Sequence, residues 1–82
     1  MVLEKTHDLT LLNDNTNDML YVMACVIKIC KMEALQAEQC VMLAHYKKSY
    51  KIASGDFDNI FEMHKDLSDL NINSEINEIS LY

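Results

Sequence analysis

A single glycine among 82 residues, Gly55, rules out a glycine-rich phosphate loop. With no proline and half of its residues hydrophobic, the chain reads as one compact domain and not as a disordered tail. A chain of this size buries only about 60 to 65% of its extended surface, enough to fold without a disulfide or a metal. Basic residues are also scarce: seven against thirteen acidic ones leave a net charge of -6. That sign disfavours nucleic acid and favours a cationic ligand. The three cysteines, Cys25, Cys30 and Cys40, are odd in number and lack a C-x-x-C pair. They read as reduced core thiols of a cytoplasmic protein. No long hydrophobic run is present either. The apolar stretch from Met19 to Ile27 is stopped by Lys28, short of the roughly 20 residues that a bilayer requires. Met1 to Asp8 mixes Glu4, Lys5 and His7 and is no signal peptide. A soluble chain without a membrane partner is expected.

What the chain does contain is a regular succession of periodic segments. Leu9, Leu11 and Leu12 around Thr10 suit a short strand, ended by the polar run Asn13 to Asp18. Asn17 or Asp18 can cap a helix in which Val22, Cys25, Val26, Ile29 and Cys30 form one stripe. Glu33 to Tyr46, rich in helix formers, predicts a second helix with Val41, Ala44 and His45 on one face. Tyr50 to Ile52 alternates as a strand does and is closed by Ser54 and Gly55. Asp56 or Asp58 can cap a third helix whose stripe comprises Phe57, Ile60, Phe61, His64, Leu67 and Leu70, and Ile72 to Ile79 reads as a last strand. The order βααβαβ implies an α+β sandwich, a three-stranded antiparallel sheet with three helices on one face. The division expected is a short arm over residues 1–8 and a core domain over 9–82.

No catalytic constellation accompanies this pattern. Cys40 and His45 lie five residues apart on one helix and so point to different faces, which leaves no nucleophile and base. His7, His45, His64 and the cysteines have no metal-ligand spacing, so no metal and no cofactor are expected. Among the methionines, Met23, Met32, Met42 and Met63 read as core filler, while Met19 adjoins the polar loop. On residues alone, the chain is a non-enzymatic acidic interaction module.

Leu12-Asn13-Asp14, followed by Met19-Leu-Tyr-Val22, Gln36-Ala-Glu-Gln-Cys40 and His45-Tyr46-Lys47, resembles the ClpS family. These are adaptors that hand N-degron substrates to a Clp AAA+ unfoldase and its protease. Ala44-His-Tyr-Lys47 and Gly55-Asp-Phe-Asp58 look most like the short ClpS proteins of Bacteroidetes-type bacteria. The resemblance runs from about Leu9 to Ala53 and more loosely to Ile76. It implies a ligand consisting of a free α-amino group carried by a bulky first residue, Leu, Phe, Tyr or Trp. It also implies roles: Asn13, Asp14 and His45 as acceptors and contacts for the amino end, and Met19 as a pocket lip that screens out β-branched side chains. Val22, Val41 and Ala44 would be pocket walls, and Ile72 a floor residue. The partners implied are N-degron proteins and a ClpA- or ClpC-type unfoldase, bound by a monomer.

The match has departures. Asn15 stands at a usual aspartate, Lys48 at a usual glycine, and Val41 and Ala44 at larger apolar residues, so a roomier pocket and a different turn into the second strand are expected. About twelve residues precede Asn13, so the family's N-terminal extension is expected to be nearly absent and substrate binding is better supported than delivery. The rival expectation is a ClpS-scaffold module that binds the unfoldase and modulates it without delivering cargo.

Overall fold

The computed structural model describes residues 6–12 and 16–79. Its elements follow the expected order: β1 (His7–Leu12), α1 (Met19–Cys30), α2 (Ala34–Lys47), β2 (Ser49–Gly55), α3 (Phe57–Asp69) and β3 (Ser74–Glu78). β1 is the middle strand of a three-stranded sheet, antiparallel to both neighbours. It starts at His7, earlier than the expected Leu9, because the backbone of His7 and Asp8 is paired on both sides, with Gly55 and Ser54 and with Glu78 and Asn77.

Alternation along β1 divides the sheet into two surfaces. Leu9 and Leu11 are buried under the helices, whereas Asp8 and Thr10 belong to a polar surface. There Ser54 donates to Asp8 Oδ1 at 2.6 Å and Asn77 donates to Thr10 Oγ1 at 3.3 Å. One face thus remains polar while three helices cover the other. β2 extends past the expected end because a bulge resets its register: Leu9 pairs with Ala53 but Thr10 with Lys51, leaving Ile52 as the extra, buried residue. Ser54 and Gly55 are therefore inside the strand. Gly55 is not left-handed, and a Cβ placed on it would make only an ordinary contact with Ile60, 3.7 Å away.

Aspartates cap two of the helices. Asp18 accepts from the Leu20 amide at 3.2 Å, and Asp56 accepts from the Asn59 amide at 2.9 Å. The stripe expected on α1 packs inward, with Val22, Cys25 and Val26 buried and Ile29 and Cys30 against them. On α3 the stripe is narrower than expected. Ile60 and Leu67 are buried, but Phe57 and Phe61 are 48% and 46% exposed. The inward arc runs through Ile60, Met63 and Leu67, so the two phenylalanines fall on its flank. They stack on each other at 5.6 Å, and the His7 ring meets Phe57 edge-on at 5.2 Å. Met23, Met32 and Met63 pack against the core as expected of filler, whereas Met42 is exposed.

Among the described residues, left-handed backbone occurs at three non-glycine positions, Lys31, Lys48 and Asn71. Lys48 ends α2 at φ 75°, so the turn into β2 adopts a backbone that glycine accepts most readily, with a lysine in its place.

Candidate functional site

The residues expected to form a pocket come from three separate parts of the chain, and the fold collects four of them. Val22 on α1, Val41 and Ala44 on α2, and Ile72 after α3 belong to one contiguous core cluster. Helical spacing accounts for the first three, since Val22 continues the stripe of Cys25 and Val26, and Val41 and Ala44 lie three residues apart. Ile72 arrives differently. It lies before β3, in the turn that ends α3, and not in the last strand as expected. Asn71 is left-handed at φ 66°. The Asn71 amide donates to Ser68 O at 3.0 Å and the Ile72 amide to Leu67 O at 2.9 Å. That pair of bonds is a Schellman motif, which characteristically brings the residue after the left-handed position against the helix's last apolar turn. Ile72 is accordingly only 1% exposed and Leu67 fully buried.

The other expected residues are exposed and outside this cluster, or lie beyond the described residues. Met19, the first residue of α1, is 37% exposed. His45 is exposed beside the buried Ala44, its ring edge-on to Tyr46 at 5.9 Å. The shared face expected for Val41, Ala44 and His45 is therefore a boundary, with the imidazole on the solvent side. Asn13 and Asp14, together with the anomalous Asn15, lie outside the described residues.

Residues that the sequence reading missed join these parts. The Tyr21 hydroxyl donates to Leu70 O at 2.9 Å, and Asn17 Nδ2 donates to Asn71 O at 2.8 Å. Both bonds tie the start of α1 to the turn that carries Ile72. Partial desolvation, with a hydrogen bond to the Cys25 thiol adding to it, raises the Tyr21 phenol above its ordinary value. One sequence signal was available: an asparagine just past an apolar-periodic helix marks a C-terminal stop.

Cys40 is buried while His45 faces solvent, so no nucleophile and base meet on α2. Burial raises the Cys40 thiol, and burial with the neighbouring Cys40 pushes Cys30 up to about 11. Both thiols are protonated near neutral pH and poor nucleophiles. Among the described residues no group of three His, Cys, Asp or Glu side chains is placed to hold a metal, and no helix is long and apolar enough to cross a membrane. A separate open groove of about 340 Å³ between the end of α1 and α3 is lined by Lys28, Lys31, Glu62, Asp66 and three uncharged residues. None of the expected pocket residues lines it.

Comparison with known proteins agrees with this architecture. The family model described as ATP-dependent Clp protease adaptor protein ClpS matches residues 3–76. Among solved structures, ClpS2 of Agrobacterium tumefaciens, bound to L-phenylalaninamide, superposes with a TM-score of 0.88 at 18% identity. The alignment covers 94% of this chain and 100% of that one. At that identity the likeness shows the fold. No curated protein matches the sequence significantly.

Proposed function

Because the chain belongs to the ClpS family of Clp protease adaptors, we propose that it binds proteins through a free α-amino group and a bulky hydrophobic first residue, Leu, Phe, Tyr or Trp. It then passes them to a ClpA- or ClpC-type unfoldase for degradation. The observation that carries this reading is the convergence of Val22, Val41, Ala44 and Ile72 in one apolar cluster, with Met19 and His45 exposed on the two helices that supply three of them. Apolar walls suit a large side chain, and an imidazole nitrogen can accept one of the three hydrogens of an ammonium. Asn13 and Asp14 supply further acceptors in this reading, and the acidic balance of the chain favours the cation. The ligand named for the Agrobacterium relative, L-phenylalaninamide, has that chemistry: a free amine on a carbon bearing a benzyl group.

Magnitudes agree with a cargo that must be released. Hydrogen bonds to a charged group contribute roughly 1.5 to 3 kcal/mol each, and burial of a Leu or Phe side chain about 1.5 to 3 more. Ordering costs subtract from a gross interaction near 8 kcal/mol, so affinity is expected at about micromolar or weaker. Titration of a peptide beginning with Phe or Leu against its N-acetylated form tests the reading. Binding of the free peptide alone supports it; equal binding of both, or of neither, overturns it.

A further inference from the structure

Two donors, Tyr21 in the first turn of α1 and Asn17 just before its cap, reach consecutive carbonyls in the turn that ends α3. Tyr21 bonds to Leu70 O and Asn17 to Asn71 O, across 49 and 54 residues of chain. The acceptors lie within the Schellman turn, whose own amides have already taken Leu67 O and Ser68 O. The turn is thus held from inside by its own backbone and from outside by α1. Met19 lies midway between Asn17 and Tyr21 in sequence, and Ile72 directly follows Asn71. The two bonds therefore bracket the proposed lip on one side of the site and abut the proposed floor on the other.

We infer that Asn17 and Tyr21 are positioning residues that set the distance between Met19 and Ile72, and so decide which first side chains the pocket admits, without themselves touching the ligand. The inference rests on the amine-binding reading above. Tyr21 is 41% exposed, so its ring is not a main core filler and its hydroxyl bonds to backbone on another element. A hydroxyl used in that way acts on geometry. Removing it frees the lip to move relative to the floor, and a gate set by separation then loses discrimination before the domain loses its fold. Both bonds act on one turn, so their loss is coupled and not additive.

The test uses Tyr21→Phe, which removes the hydroxyl and keeps the ring, and Asn17→Ala, each in the full chain. Binding is measured for two peptides that differ only in a first Phe or Val, with the N-acetylated Phe peptide as control, and thermal unfolding is followed alongside. Each variant is expected to weaken the Phe peptide by about two- to tenfold, the range of one net hydrogen bond. The Phe-over-Val preference should fall by about threefold or more, while unfolding stays one cooperative transition whose midpoint drops by no more than the loss of one net hydrogen bond. The double variant should lose less than the product of the two. An unchanged Phe-over-Val preference in both variants overturns the inference, whereas failure of the wild type to prefer the free amine overturns the binding reading instead. A ligand-independent measurement decides the geometry: amide exchange at Ile72, whose N–H is bonded to Leu67 O. Tyr21→Phe should speed it several-fold, and unchanged protection there overturns the inference even without a ligand.

Discussion

The amide of Ile72 donates to the carbonyl of Leu67 at 2.9 Å, so the turn that ends α3 also delivers the proposed floor of the pocket into the core. Asn71 makes this possible by adopting φ 66°. A left-handed residue costs roughly 1 to 2 kcal/mol unless it is glycine, with asparagine among the better tolerated. Asn71→Gly should therefore leave stability unchanged or higher, and Asn71→Val should lower it by about 1 to 2 kcal/mol. Equal urea midpoints for the two variants would contradict this account of the turn.

Lys48 carries the same cost without asparagine's tolerance, at φ 75°. Lys48→Gly should raise stability by about 0.5 to 1 kcal/mol, the relieved backbone being partly offset by the greater freedom of glycine in the unfolded chain. Denaturant unfolding of the variant would check it, and a decrease would show that the lysine side chain contributes more than its backbone loses.

The two arcs of α3 should respond differently to truncation. Ile60→Ala or Leu67→Ala opens a cavity at a fully buried position and should cost about 2 to 5 kcal/mol. Phe61→Ala removes a half-exposed ring that stacks on Phe57; it leaves no enclosed cavity and should cost less, about 1 to 2 kcal/mol from the stack and the partial burial together. Comparable losses for Phe61→Ala and Ile60→Ala would place the phenylalanine pair in the core after all.

Ligand selectivity separates the edge residues of the proposed pocket. His45→Ala should weaken a free-amine Phe peptide at least several-fold with little change in unfolding, since the imidazole is exposed. Met19→Ala should admit Ile or Val as the first residue by removing the lip. A Met19→Ala variant with wild-type selectivity, measured by competition between peptides, would end the gatekeeper role.

Alkaline pH should destabilise the domain. Burial raises the Cys30 thiol to about 11 from its ordinary 9.0, so over that interval the folded chain retains a proton that the unfolded chain gives up. Stability is then whole below about pH 9 and falls as pH rises toward 11. Cys40 and Tyr21 shift in the same direction. Urea midpoints across this range should decline, and Cys30→Ala should decline less steeply; parallel curves would remove Cys30 as a source.

Much of this arrangement was legible in the chain. The stripes of Val22, Cys25 and Val26 and of Val41 and Ala44 follow from helical period, and side chains that accept amide hydrogens narrowed the caps to Asn17 or Asp18 and to Asp56 or Asp58, of which the structure uses Asp18 and Asp56. The inward and outward residues of β1 follow from alternation. Period does not centre an arc, however, which is why Phe57 and Phe61 counted as core residues until the packing of Ile60, Met63 and Leu67 showed which side of α3 faces the sheet.

The sequence by itself determined the element order, narrowed each of two helix caps to a pair of residues, and supplied the apolar residues available to wall a pocket, because these depend on local backbone chemistry and short periods. Only the tertiary structure decided the bulge at Ile52, the left-handed turn that buries Ile72, and the reach of Tyr21 and Asn17 to Leu70 and Asn71. The last two bonds join segments about fifty residues apart. No local propensity encodes such a bond, since its partner is supplied by how the helices settle on the sheet.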